Sequence, residues 1–170
     1  VSGLTTRNFT NYAVAANQGD YLIISNPVLY NNGSGVNNVE LYRQYRSSAV
    51  GGGFNGKVYN IDELNDQFGF GIKKHPSAIR DFIQYANQQF SPSPKYVFII
   101  GRAISYIDYT VNQASPIAEQ LDLVPTFGWP ASDILLSCAP GTNVPLIPIG
   151  RLGAINGTEV GIYLDKMKEY

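Results

Sequence analysis

Three short runs of mostly apolar residues, separated by segments with helical periodicity, constrain the fold of this chain most strongly. The runs cover residues 21–25, 57–61 and 95–101. The first is followed directly by Asn26 and Pro27, and a short apolar run that ends this way is typical of a buried strand in a parallel sheet. Because parallel strands need long crossovers, the helical segments between the runs predict βαβ units. We therefore expect an α/β fold: a three-layer sandwich with a mainly parallel sheet of three or four strands, flanked by helices.

Helical periodicity fills the gaps between these strand candidates. Side chains at helical spacing predict a first helix through Ser48, and Asp62 can cap a short second helix that ends at Phe68. Pro76 suits the first turn of a third helix, where its missing N–H would have no intrahelical partner. The apolar stripe of this third helix consists of Ile79, Phe82, Ile83, Ala86 and Phe90. Residues 102–120 are expected to be partly helical.

The two ends of the chain and its proline-rich part complete the predicted organisation. Residues 1–19 show neither strand alternation nor a helical stripe and are interpreted as an irregular lead-in or linker. Prolines divide residues 121–149 into short extended pieces, and residues 146–152 predict an edge strand because Pro148 cannot donate a ladder hydrogen bond. The last helix follows the N-cap Asn156 and is interpreted as truncated at its end. Residues 20–170 are thus expected to form one α/β subdomain.

Charge and hydropathy exclude several functional classes. The 170 residues include 12 Lys and Arg against 13 Asp and Glu, so the net charge is −1 and no basic surface for nucleic acid is expected. No run approaches the ~20 apolar residues of a membrane span, and the first residues lack the features of a signal peptide. Charged residues make up 15%, below the ~25% usual in soluble domains, and such compositions are common outside the cell or in large assemblies.

The chain has one histidine, His75, and one cysteine, Cys138. These numbers exclude an intrachain disulfide and a His/Cys metal cage. The two residues are the only pair able to form a Cys–His dyad, which needs a base within hydrogen-bond reach of the thiol. However, His75 directly precedes Pro76 at a predicted helix start, which favours a capping or loop role. Cys138 lies in an apolar extended piece, which favours a buried thiol that packs as a small apolar side chain. No catalytic residue is therefore assigned in this chain.

No cofactor or metal site is predicted either. The glycines at 51–53 precede a strand, whereas a phosphate-binding loop follows a strand and opens a helix. Gly101 does follow a strand, at the end where open α/β sheets carry functional loops, but a single glycine there more often serves close packing. Asp108, Asp122 and Asp133 match no metal-binding spacing, and capping or turn roles are favoured for them.

Arg151 and Asp133 are the candidate structural residues. Arg151 is a cation in an otherwise apolar strand, directly ahead of a capped helix. We expect it to pair with an acid, and a buried pair of this kind is costly to break.

Several segments, taken in order, resemble the gingipain-like cysteine peptidases of family C25. Phe68-Gly69 and the later Ile79-Arg80-Asp81-Phe82 resemble the family's Tyr/Phe-Gly and Ile-Arg-Asp-Phe signature, and the order of all the segments together is more specific than any one of them. The other matching segments are residues 20–27, 41–46, 58–64, 94–101, 147–152 and 165–170. The resemblance covers about residues 20–170. One departure is that Arg102 follows the third strand, where the family often has Asp or Asn after the glycine.

The resemblance implies a two-part protein of which this chain is the non-catalytic half. Family members resemble caspases in having two α/β subdomains side by side, so a caspase- or flavodoxin-like subdomain is expected here. Their catalytic His and Cys lie in the second subdomain, after the Ile-Gly-Arg strand and its helix, and neither His75 nor Cys138 falls on those positions. The implied partners are that catalytic subdomain of the same parent and the polypeptide that the parent hydrolyses, with no cofactor. Family members are typically secreted or displayed on the surface of Bacteroidetes-type bacteria, which implies the same location here.

Two alternatives are kept. The same fold could serve as a non-enzymatic interaction or scaffold domain in a large bacterial surface, gliding or secretion-related protein whose peptidase site has decayed. A flavodoxin- or receiver-like domain ranks last, because the sequence lacks the acidic cluster of a receiver and any phosphate-binding loop.

Overall fold

The computed structural model describes Arg7, residues 9–112 and residues 114–169, and it confirms the α/β fold class. Four parallel strands form one sheet in the order β2-β1-β3-β4, with bounds β1 Tyr21–Ser25, β2 Gly56–Asn60, β3 Tyr96–Ile100 and β4 Ile149–Leu152. The helices are α1 Asn38–Ser47, α2 Ile61–Phe68, α3 Pro76–Gln89, α4 Tyr106–Val111, α5 Pro116–Leu121 and α6 Gly157–Glu169. Short 3₁₀ helices cover Ala15–Asn17, Pro27–Tyr30 and Asp133–Leu136. Residues 1–6 and Asn8 of the predicted lead-in, Gln113 of the segment expected to be partly helical, and Tyr170 of the predicted last helix lie outside the described residues.

The sheet carries a hydrophobic core on each face, which makes the three layers. Strand β1 is central and buried along its whole length, so its side chains alternate between the two cores. Leu22 and Ile24 pack with α2 and α3 on one face. Tyr21 and Ile23 pack with α1 and α6 on the other. An uninterrupted apolar strand is the expected result of burial on both faces.

Two predicted boundaries were wrong, each for a local reason. Helix α2 begins at Ile61 and is capped by Asn60, whose side chain accepts from the Asp62 N–H at 2.9 Å, so Asp62 lies in the first turn. The edge strand begins at Ile149 rather than at residue 146, and the carbonyl of Pro148 accepts from the Val97 N–H at 2.9 Å. The residues before it are paired elsewhere, by an antiparallel bridge near Cys138.

Residues 9–19 contain no regular element apart from one short 3₁₀ helix, yet they contribute buried residues to the fold. Tyr12 is 4% exposed, and its ring centroid lies 5.5 Å from that of Phe82 and 5.9 Å from that of Tyr59. The buried Gln18 donates to the Tyr12 carbonyl at 2.8 Å and accepts from the Ser91 N–H at 2.9 Å. This segment therefore contributes a side chain to the α2–α3 core. Among the described residues, no helix combines the length and apolarity that a membrane crossing requires.

Candidate functional site at the carboxyl edge of the sheet

The four parallel strands end at the same edge of the sheet, where open α/β folds place their functional loops. Asn26 follows β1, Gly101 and Arg102 follow β3, and Gly153 follows β4. The gap between β1 and β3 is the point where the chain switches from building one side of the sheet to the other. The loops at this edge therefore define the candidate site.

Arg151, on the edge strand β4, is the centre of this region. Its Nε and Nη2 donate to the two carboxylate oxygens of Asp133, at 2.8 and 2.7 Å. Its Nη1 donates to the carbonyls of Gly101 and Val124, both at 2.7 Å, and Nη2 also donates to the Pro125 carbonyl at 3.3 Å. One guanidinium thus joins the end of β3 to two positions in the proline-rich part of the chain and to Asp133.

The ion pair is largely withdrawn from water, with side-chain exposures of 13% for Arg151 and 22% for Asp133. Burial alone would raise the pKa of Asp133, but the hydrogen bonds and charge of Arg151 outweigh burial and hold that pKa below its ordinary value. Thr126 also donates its hydroxyl to Asp133 at 2.9 Å. The structure therefore brings both candidate structural residues into one bidentate pair, and Arg151 has the acidic partner that its position in an apolar strand indicates.

A second buried carboxylate, Asp122, lies close to this pair. It accepts from the Ile104 N–H at 3.3 Å, and Lys74 Nζ donates to its backbone carbonyl. Burial raises the pKa of Asp122 above its ordinary value, although the Ile104 hydrogen bond and the charges of Lys74 and Arg151 oppose this. Lys74 has a φ of 59°, an uncommon conformation for a residue with a side chain, and its ammonium is held in the loops of this edge.

The junction after β3 is filled by the chain itself. The Arg102 carbonyl accepts from the N–H groups of Leu123 and Val124, at 2.9 and 3.1 Å, and Asn26 donates to the Leu123 carbonyl at 3.0 Å. A Cβ on Gly101, whose φ is 147°, would lie 2.8 Å from Val124 Cγ2. This glycine permits close packing, so the loop after β3 is closed rather than open for a ligand. The Arg102 side chain itself is exposed.

A cavity of about 520 Å³ lies beside this junction, on the β2 side. Asn26, Asn65, Lys74, Glu119 and Ile155 contribute to its walls. The Oδ1 of Asn65 is buried and has no hydrogen-bond partner among the described residues. Within the same part of the chain, no group of three or more His, Cys, Asp and Glu side chains is arranged to hold a metal ion.

His75 and Cys138 do not form a dyad. His75 is the N-cap of α3, and its Nδ1 accepts from the Ser77 N–H at 3.1 Å. Cys138 is 5% exposed, and its thiol donates to the Ile134 carbonyl at 3.2 Å. Each side chain is therefore committed to a local hydrogen bond, as a cap and as a buried thiol respectively.

Several residues of this edge could not be predicted from the sequence. Lys74 and Thr126 belong to no sequence motif, and the sequence does not distinguish Lys74 from the neighbouring Lys73. Asp122 is the C-cap of α5, which agrees with the predicted capping or turn role, but its burial follows only from the folding of the proline-rich segment next to Arg102. The carbonyl groups that Arg151 binds belong to irregular backbone, which periodicity does not describe.

The family model "Peptidase family C25" matches residues 14–170. No curated protein and no solved structure shows significant similarity to the chain. The match covers all four strands, both hydrophobic cores apart from Tyr12, and the Arg151–Asp133 pair. It begins within the irregular segment that carries Gln18, close to where the chain joins the core. The chain belongs to peptidase family C25.

Proposed function

We propose that this chain is the non-catalytic first half of a gingipain-like cysteine endopeptidase, and that it supports a catalytic His/Cys subdomain located later in the parent polypeptide. The observation that carries the proposal is the combination of a C25 match over residues 14–170 with a histidine and a cysteine that are each engaged elsewhere. A cysteine peptidase needs a thiol with a base in hydrogen-bond reach, and this chain has no second His or Cys.

The structure suggests how such a half would act. A rigid sheet positions loops at its carboxyl edge, and the Arg151–Asp133 pair ties three of those backbone segments together. Holding residues on a rigid scaffold is what a catalytic constellation in a neighbouring subdomain requires. The proposed contribution to peptide hydrolysis is therefore positional.

The test uses the longer parent polypeptide, a mixed peptide substrate pool and a thiol-alkylating probe. Cys138→Ala and His75→Asn are introduced separately; Asn keeps an oxygen that can accept the capping hydrogen bond of α3. We expect cleavage and probe sensitivity in the parent and in both variants, and no cleavage by the 170-residue chain alone. Loss of cleavage in a stably folded Cys138→Ala parent would show that the nucleophile lies in this half. A parent that cleaves nothing favours the alternative, an interaction domain with a decayed peptidase site.

We also propose that the parent is secreted or displayed on a bacterial cell surface. The low proportion of charged residues and the single cysteine agree with this location, and the proposal rests on the family. Immunoblotting of surface, medium and cytoplasmic fractions of the source cells tests it, and a purely cytoplasmic signal contradicts it.

A further inference from the structure

An aromatic groove lies at the carboxyl edge of the sheet, separate from the cavity beside Asn26. We define it by three pairs of residues: Phe127 and Trp129, Tyr106 and Ile107, and His75 and Ser77. Its volume is about 430 Å³, enough for one or two large side chains. Trp129 is 73% exposed, and Tyr106, Ile107 and Phe127 are also exposed. Single exposed apolar side chains are common on protein surfaces, but a contiguous group of large ones usually marks an interaction site.

The wall formed by Phe127 and Trp129 is held in place before any ligand binds. The Phe127 carbonyl accepts from the Ser132 N–H at 2.7 Å, and Thr126 is bonded to Asp133. Arg151 holds the backbone just before this turn through its bonds to Val124 and Pro125. A binding surface whose backbone is already held in place loses less entropy when a ligand binds. The buried ion pair therefore pre-organises the groove.

The chemistry of the lining indicates the ligand. No residue that lines the groove carries a carboxylate, an amide side chain or a permanent charge. His75 accepts the Ser77 N–H at Nδ1, so the neutral ring carries its proton on Nε2 and can only donate there. The Trp129 indole N–H is also only a donor, and the hydroxyls of Tyr106 and Ser77 can donate. Such a groove has no carboxylate to pair with a cationic side chain and no cation to pair with an anionic one, whereas it suits apolar side chains flanked by backbone carbonyls.

We propose that the aromatic groove binds an uncharged apolar segment of a polypeptide, with aliphatic or aromatic side chains between its walls and backbone carbonyls as acceptors. The proposal rests on the proposed function, in that the polypeptide is the parent's substrate or product. It assigns to the non-catalytic half a recognition site for apolar residues, apart from any catalytic centre.

The test uses the 170-residue chain and short peptides with blocked ends. One peptide has Leu-Phe at its centre, one Asp-Glu and one Lys-Lys, all with Gly-Ser flanks. Trp129 is the only tryptophan, so its emission reports directly on the groove. We expect the Leu-Phe peptide to shift this emission to shorter wavelength at saturation and to bind at least about tenfold more tightly than the charged peptides.

Calorimetry with variants then locates the binding. Trp129→Ala and Tyr106→Ala, from two separate segments of the lining, should each weaken binding of the Leu-Phe peptide about tenfold or more. The matched control Ile162→Ala removes an exposed apolar side chain from α6 and should leave binding unchanged. Circular dichroism must show that each variant is folded, and two variants on different elements guard against a local effect at one of them.

Several outcomes overturn the proposal. They are equal binding of all three peptides, unchanged binding in both groove variants, and binding of gluco-oligosaccharides in place of peptides. A dimer in sedimentation that Trp129→Ala dissociates would make a second copy of the chain the occupant. Peptide binding that is lost in the longer parent would make the groove a contact of the second subdomain. Peptide binding needs no active centre, and cleavage by the parent is measured separately, so this proposal and the proposed function can fail independently.

Discussion

At the scale of single residues, the side chain of Arg151 forms five hydrogen bonds, two to Asp133 and three to backbone carbonyls. Removing the guanidinium would leave a largely buried carboxylate and three carbonyls without these partners. Breaking a buried pair from one side is far more damaging than its net contribution would suggest, because the remaining charge stays desolvated.

We expect Arg151→Ala to lower the free energy of unfolding by roughly 3–5 kcal/mol, and to leave the isolated chain without any gain or loss of activity. Urea denaturation measures the first effect. Arg80→Ala is the control, because Arg80 and Asp81 form an exposed pair, with both side chains 40% exposed, that should contribute under about 1 kcal/mol. Equal unfolding midpoints for the two variants would contradict a structural role for Arg151.

Asp122 and Asp133 give the stability of the chain opposite dependences on pH. The pKa of Asp133 is held below the ordinary value of 3.8, so its stabilisation is complete above pH 3.8 and is lost as the pH falls through its folded-state pKa. Burial raises the pKa of Asp122 above 3.8, so its favourable contribution is complete below pH 3.8 and is lost as the pH rises through its folded-state pKa. At neutral pH, ionised Asp122 therefore destabilises the fold relative to a neutral side chain.

Asp122→Asn tests this difference. We expect the variant to be more stable than the unsubstituted chain at pH 7. The difference in free energy of unfolding should shrink towards zero as the pH is lowered below 3.8, where Asp122 is protonated. Urea denaturation at a series of pH values measures it, with the exposed Asp165→Asn as control. A stability difference that does not change with pH would show that the carboxylate charge is not responsible.

At the scale of elements, the irregular segment before β1 acts as a part of the core. Tyr12 lies among the rings of Tyr59, Phe68, Phe82 and Phe90, with centroid separations of 5.5 to 6.1 Å. Contacts between aromatic rings stabilise a fold by more than the burial of their apolar area alone would give. The segment therefore covers one end of the α2–α3 layer although it has no regular structure there.

Tyr12→Ala should lower the free energy of unfolding by roughly 3 kcal/mol, because it removes a buried ring and leaves a cavity. Phe9→Ala, from the same segment but exposed, should change it by less than about 0.5 kcal/mol. Thermal and urea unfolding of both variants measure the effect. Similar small values for the two would indicate that the segment is a linker.

Elements with strong periodicity could be predicted from the sequence, and elements defined by distant contacts could not. The stripe from Ile79 to Phe90 identified α3, and Pro76 marked its start correctly. The cap of α2 was misplaced because Asn60 and Asp62 are both good capping residues, and only the end of β2 decides between them. Arg151 could be singled out as a cation in an apolar strand, but its carbonyl partners could not.

The aromatic groove was missed for a related reason. Phe127 and Trp129 lie in a proline-rich segment that has no period, so neither a core face nor a surface face can be assigned to them from spacing. Tyr106 and Ile107 are more than twenty positions earlier than Trp129 and come from a short helix without buried residues. Only the closure of the chain around Arg102 places the two walls on one groove.

At the scale of the whole molecule, both cores share the central strands, whereas no described residue of α4 or α5 belongs to either core. Helix α4 has no buried residue, and α5 buries only Ala118. Amides with few buried contacts open locally, whereas those of a central strand exchange only when the whole domain unfolds.

Hydrogen–deuterium exchange should therefore divide the chain into two classes. We expect the backbone amides of β1 and β3 to exchange slowest. The amides of residues 103–112 and 114–121 should exchange faster, because they can open locally without unfolding of the whole domain. Mass spectrometry of peptic fragments over a time course measures this. Equal protection of the two groups would mean that α4 and α5 are cooperative parts of the core.

The hydrogen-bonded junction at Arg102 also affects how related chains can diverge in sequence. The chain leaves the sheet at Arg102, and the N–H groups of Leu123 and Val124 later donate back to the Arg102 carbonyl. The two ends of the loop between these positions are therefore already joined. Because loop-closure entropy costs only about 0.6 kcal/mol per doubling of loop length, such a loop tolerates insertion, deletion and replacement of residues. Tyr106 and Ile107 lie on it, whereas Phe127 and Trp129 lie outside it, next to the anchored turn. Sequence changes in this loop can therefore alter the Tyr106 and Ile107 side of the groove, while the anchored turn keeps Phe127 and Trp129 in place.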